Sequence, residues 1–152
     1  TVLNNGLLEV LPDEMFKPET AEYLNRFSEP FINNGINLDE ALIERRRLRR
    51  LWSSFLTDYS VCIGPTWSNL PWPIDTDLDP VKGDSVLKES FIFIAPGNCL
   101  GIPSVALPMG VADGLPTGIQ IYSELYREDL CLLAAEIIET ERVCPTPIDP
   151  VT

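Results

Sequence analysis

The stretch NCLGIPSVALPMGVADGLPTGIQIY, residues 98–122, decides the fold. Inside it, SVALP (104–108) and TGIQIY (117–122) have strand composition. Val105 and Leu107 alternate onto one face, as do Ile119 and Ile121. Asp113-Gly114 between them is a favoured two-residue turn. Pro103 and Pro116 each stand just ahead of a strand, where a missing N–H costs little. The prolines and glycines are therefore expected to bracket two antiparallel strands and to fix their ends and turn.

Downstream, YREDLCLLAAEIIETE (126–141) sets Leu130, Leu133, Ala134, Ile137 and Ile138 at helical spacing. Glu128 and Asp129 suit the positive end of that helix, and Ala134-Ala135 lets it lie close on a sheet. A proline-rich tail, CPTPIDPVT, cannot continue it. Upstream, NLDEALIERRRLRRLWSSFLTDY predicts a helix over about 39–58, with Leu48, Leu51, Trp52, Phe55, Leu56 and Tyr59 at three- and four-residue steps. Asn37 or Asp39 is placed to cap it. The apolar, β-branched run SVCIG follows at once and reads as a buried strand stopped by Gly64-Pro65. Helix running directly into strand argues for an α/β layered fold, with a mixed sheet flanked by helices. Residues 1–36 carry turn signals and little periodicity, apart from a short helix expected near Glu19–Phe27. They read as a surface excursion ahead of an α/β part spanning 37–152.

At 152 residues, with 45% apolar and 22% charged side chains, the chain has the balance of a soluble globular domain. No run approaches the ~18 apolar residues of a membrane span. The opening TVLNNGLLEV lacks the basic and apolar regions of a signal peptide. An N-terminal threonine such as Thr1 can act as a nucleophile, but nothing else in the sequence supports that role here. A net charge of −12 opposes binding to nucleic acid. Five arginines crowd residues 45–50, yet they spread around the helix and read as a solvated face.

The four cysteines never fall at Cys-x-x-Cys spacing and there is no histidine, so neither a metal nor another cofactor is expected. Cys62 and Cys131 sit in apolar runs, as free thiols of a reducing cytoplasm would. Without histidine, the commonest neutral-pH base is missing. Asp75-x-Asp77-x-Asp79 imitates the start of a calcium loop. Pro80 occupies its sixth position and Val86 its twelfth, where Gly and Glu are needed. The loop that carries these acids, WSNLPWPIDTDLDP (67–80), is stiffened by proline. It presents Trp67 and Trp72, which either cover a core edge or wall a pocket.

Taken in order, three pieces resemble the C-terminal part of the amidase signature family. The first is the arginine-rich helix leading to Pro65-Thr66. The second is Asn98, Gly101, Pro103, Pro108 and Gly110, continuing into Gly114, Pro116, Gly118 and Gln120. The third is the closing helix followed by TPIDP. The likeness covers about 39–150, and its second piece is the specific one. It implies amide hydrolysis by a serine, a second serine in a cis peptide, and a lysine base, chemistry that needs no histidine.

The glycine- and serine-rich nucleophile segment of that family has no counterpart here. Ser53-Ser54 is mid-helix, and nothing in the sequence buries Lys17, Lys82 or Lys88. No catalytic residue carries over. The resemblance implies a supporting role: strands of the sheet, and pocket walls from Trp67, Trp72 and the 93–99 segment FIAPGNC, with Asn98 tying its loop. Gln120 reads as structural. The implied partners are a small-molecule amide and the N-terminal part of the same enzyme, with self-association left open. One alternative is a non-catalytic binding or scaffolding module. Another is a fragment of the A-type chain of an amidotransferase.

Overall fold

The computed structural model describes residues 17–22 and 37–141. The expected tail at 144–152 and most of the 1–36 excursion lie outside these residues, as does the Glu19–Phe27 helix beyond its turn at 18–22. In chain order the elements are α1 (Leu38–Phe55), β1 (Cys62–Pro65), a single 3-10 turn (Thr76–Leu78), α2 (Gly83–Phe91), α3 (Ile94–Leu100), β2 (Ser104–Ala112), β3 (Leu115–Tyr122) and α4 (Glu128–Glu141). The described residues fall into two compact units. One contains 17–22, 37–41 and 73–87, the other 42–72 and 88–141.

The second unit is built on an antiparallel sheet of order β1-β3-β2. Val105 pairs with Ile121 and Leu107 with Ile119, the register that their alternation predicts. The loop is the two-residue Asp113-Gly114, with φ of 53° and 78°, as a tight hairpin turn requires. The strands run further than expected, and the expectation that prolines bracket them is corrected. Pro116 lies inside β3 opposite Val111, and Pro108 inside β2. Pro108 is tolerated because β2 is an edge strand, and the register slips between Pro108 and Gly110, a bulge that absorbs the lost ladder bond.

Leu107 and Ile121 meet Ala135 of α4 to make the core, with Val105, Ile119, Ala134 and Ile138 packed around it. The alanine pair thus seats α4 on the sheet. On the opposite face Gln120 donates to Pro65 O (3.2 Å) and Phe93 O (3.1 Å), and the Tyr122 hydroxyl donates to Phe93 O (2.7 Å). Gln120 is buried and its amide nitrogen donates to two backbone carbonyls, in line with the structural role expected of it.

The strand expected to be buried, β1, is instead half exposed, with Ile63 at 52%. It is a sheet edge among the described residues, which leaves its outer side open. Helix α1 starts with a reciprocal cap: Asn37 Oδ1 accepts the Glu40 N–H (2.9 Å), and Glu40 Oε2 accepts the Asn37 N–H (3.3 Å). Trp52 on its inner face donates to Ser123 O (3.1 Å) and meets the Tyr122 ring edge-on.

Two of the arginines read as a solvated face have a structural task. Arg45 Nε donates to Cys99 O and Arg49 Nε to Leu100 O, each at 2.5 Å. These are the carbonyls that the end of α3 leaves without an intrahelical partner. Gly101 terminates the helix at φ 65°, and both its N–H and that of Ile102 donate to Gly97 O. A Cβ at Gly101 would stand 2.9 Å from both guanidinium groups, so the glycine of the motif and the arginines of α1 form one device.

Candidate substrate pocket

Beyond β1 the chain turns out through Thr66, whose N–H donates to Gly118 O (3.1 Å) and so extends the β1–β3 pairing by one residue. The Pro-rich loop that follows is pinned to α2. Ser68 Oγ donates to Glu89 O, and Asn69 Nδ2 to Glu89 Oε2 (2.6 Å). Held this way, the loop stacks Trp67 on Trp72 with ring centroids 5.0 Å apart and planes 27° from parallel.

The loop and the sheet together border an open cavity of about 910 Å³, walled by residues 65–72 on one side and by Ala106–Pro108 and Pro116–Gly118 on the other. That is the size of a small-molecule site. Its wall is mostly apolar, and none of its residues is ionisable. Such a surface can bind and orient a neutral molecule, but it holds no group to move a proton.

One polar atom behind its wall stands out. Thr66 Oγ1 is buried and has no hydrogen-bond partner among the described residues. Sequence reasoning passed over it, and the signal available was its position directly after the strand in Pro65-Thr66.

Trp67 and Trp72 are brought together as pocket walls, whereas Asn98 is not brought to them. The segment expected to be a loop at 93–99 is largely helix α3, and Asn98 stands exposed on it. Gly97, one position earlier, is packed so closely on the Tyr122 ring that a Cβ there would fall 2.5 Å from it. Pro96 and Cys99 of the same helix line a separate apolar cavity of about 570 Å³ with Leu51, Trp52, Phe55 and Cys62.

Ser53 and Ser54 are exposed on α1, and Lys17, Lys82 and Lys88 are exposed as well. Among the described residues no three His, Cys, Asp or Glu side chains gather as a metal site would need. Cys131 is buried, and burial, aided by Glu128 and Asp129, pushes its thiol pKa up, away from reactivity.

Similarities to known proteins bear on this pocket. The family description Amidase matches residues 5–132. Indoleacetamide hydrolase of Bradyrhizobium diazoefficiens is 33% identical over 144 residues, covering 86% of this chain and 28% of that protein. The A-type chain of the glutamyl-tRNA(Gln) amidotransferase of Clostridium kluyveri is 31% identical over 100 residues, covering 66% of this chain and 20% of that protein. A crystal structure of an amidase shares the fold with a TM-score of 0.61 at 20% identity, over 84% of this chain and 29% of that one. In each case the chain spans less than a third of its relative.

Proposed function

The chain belongs to the amidase signature family, and from that premise we propose that it is the C-terminal portion of a hydrolase cleaving carbon–nitrogen amide bonds. Its part is to supply sheet strands and one wall of the substrate pocket. The nucleophilic serine, the cis serine and the lysine base belong to the upstream portion of the same enzyme. The observation that carries this reading is the cavity beside the Trp67–Trp72 stack, a binding surface without an ionisable side chain.

The partner is that upstream portion. Apolar side chains are left open where it would pack: Leu51 and Phe55 on α1, and Leu132, Leu133 and Ile137 on α4. No helix among the described residues is long and apolar enough to cross a membrane. We place the enzyme in the cytoplasm, in keeping with the free thiols of Cys62, Cys99 and Cys131.

A chimera tests the reading: the matched region of the Bradyrhizobium indoleacetamide hydrolase is replaced by this chain. Amide hydrolysis should persist and should be lost when Trp67 and Trp72 both become Ala. A folded chimera without hydrolysis would refute it. The similarity to an amidotransferase chain favours a second reading, in which this is the amide-cleaving component of such a complex. The hydrolase relative matches more of this chain, 86% against 66%, and the hydrolase is preferred.

A further inference from the structure

We propose that Gly118 is the positioning residue of the cavity beside the Trp67–Trp72 stack: its missing side chain lets Thr66 seat against β3, and that seat fixes where Trp67 stands. The inference rests on the reading of this cavity as an amide hydrolase's pocket.

A glycine inside a strand is unfavourable, since it loses more backbone freedom on folding and packs nothing. Gly114, in the hairpin turn, has its reason in a φ of 78°, and a Cβ there would meet nothing within 4 Å. Gly118 is the opposite case. It lies within β3, paired with Pro108, and its φ is not positive. A Cβ built on it would stand 3.0 Å from Leu107 O and 3.0 Å from Thr66 Oγ1, inside the 3.4 Å where ordinary contact begins. Close approach from both flanks, and not backbone torsion, excludes a side chain here.

The two neighbours differ in how readily they give way. Leu107 O is backbone of β2, and Leu107 is paired with Ile119 inside the β2–β3 ladder. Thr66 stands at the end of the β1 pairing, held to β3 by its N–H on Gly118 O (3.1 Å). Its buried hydroxyl makes no hydrogen bond among the described residues, which leaves that backbone bond and packing on Gly118 to seat it. A side chain at 118 therefore pushes Thr66 outward, and a β-branched residue has few rotamers in which to turn aside.

Trp67 is the next residue, and Ser68 and Asn69 beyond it are tied to Glu89. The indole thus sits between two anchors, one on β3 and one on α2. Displacing the first while the second holds tilts Trp67 against Trp72, whose ring now lies 5.0 Å away. Gly118, Thr66 and both tryptophans line the same cavity, so the shift alters the spacing of its walls. A wall that holds substrate without moving a proton acts alike on ground and transition states. KM should therefore respond, and kcat should not.

Two measurements test this. In the 152-residue chain the stacked indoles should give an exciton couplet in circular dichroism, assigned by its loss in Trp67→Phe. Gly118→Ala should lose most of that couplet. Adding Thr66→Ala should restore most of it, because Oγ1 is removed and the Cβ of residue 66 remains at an ordinary 3.7 Å. Gly114→Ala, strained in its backbone yet touching nothing, should lower stability and keep the couplet. In the Bradyrhizobium chimera, Gly118→Ala should raise KM about five-fold at unchanged kcat, with Gly114→Ala near the parent.

A parent chain without the couplet, an unchanged couplet in Gly118→Ala, an equal loss in Gly114→Ala, or no recovery on adding Thr66→Ala would each overturn the proposal. Should Gly118→Ala fail to fold, recovery is read as the return of a cooperative melting transition in the double variant, and its absence overturns the proposal too. The couplet needs no hydrolysis, so it stands apart from the fate of the hydrolase reading. A chimera that hydrolyses amides with a KM unmoved by Gly118→Ala would defeat this proposal and leave that reading in place.

Discussion

Tyr122 joins the sheet to α3 through one hydroxyl, donated to Phe93 O at 2.7 Å. Burial, and next the proximity of Cys62, push its phenol above its ordinary pKa. A phenol whose folded pKa exceeds its unfolded value of about 10 contributes stability fully present below that pH. The contribution is lost as pH rises through the folded value. Tyr122→Phe should therefore lower stability at neutral pH by about 0.5–1.5 kcal/mol, the net worth of one hydrogen bond. Gln120 still donates to the same carbonyl, which favours the lower end. The variant should also lose part of the alkaline fall seen in the parent. Urea midpoints between pH 7 and 11 measure both, and an identical alkaline slope in the two proteins would contradict the assignment. At this scale the sequence was partly legible. Two tryptophans on a stiffened loop announce themselves, because no other residue type offers so much apolar surface. Thr66 does not, since an unpaired hydroxyl is a property of its surroundings and not of its own chemistry. Asn98 lies away from the Trp67–Trp72 cavity, because the chain around it is helical and leaves it exposed.

The elements that were read correctly are those whose periodicity is long and whose ends are marked. Helix α1 has the predicted apolar steps and the Asn37 cap, and the β2–β3 hairpin has matched alternation around Asp113-Gly114. Helices α2 and α3 were missed for a physical reason. They are short, and α3 carries Pro96 and Gly97 within seven residues, a composition that isolated propensity assigns to a loop. Tertiary contacts decide the matter instead: α3 is held at its end by Arg45 and Arg49, from a helix some fifty positions earlier. Changing both arginines to Met keeps their apolar stems and removes the donors to Cys99 O and Leu100 O. Amide hydrogen exchange across 97–102 should then quicken about ten-fold, while β3 and α4 keep their protection. Uniform exchange across the whole chain would mean that the arginines support the fold globally. Unchanged exchange would mean that they do not cap α3.

Over the whole molecule, the fold class and family were legible because a long ordered set of Gly, Pro, Asn and Gln survives in the hairpin and its flanks. The outer limits of the sheet were not. Strand β1 reads as buried by composition and is an open edge among the described residues, because composition reports apolar character and not a strand's place in a sheet. The same holds for the apolar faces of α1 and α4. These surfaces and the uncharged cavity are what the proposed function requires of one wall of a divided active site whose bond-breaking serine stands on the other. The most direct measurement is exposure of the purified 152-residue chain to a fluorophosphonate probe, followed by peptide mapping of every serine. The account predicts that no serine is labelled stoichiometrically, Ser53 and Ser54 included. Stoichiometric labelling of any one of them, abolished by its change to Ala, would contradict it.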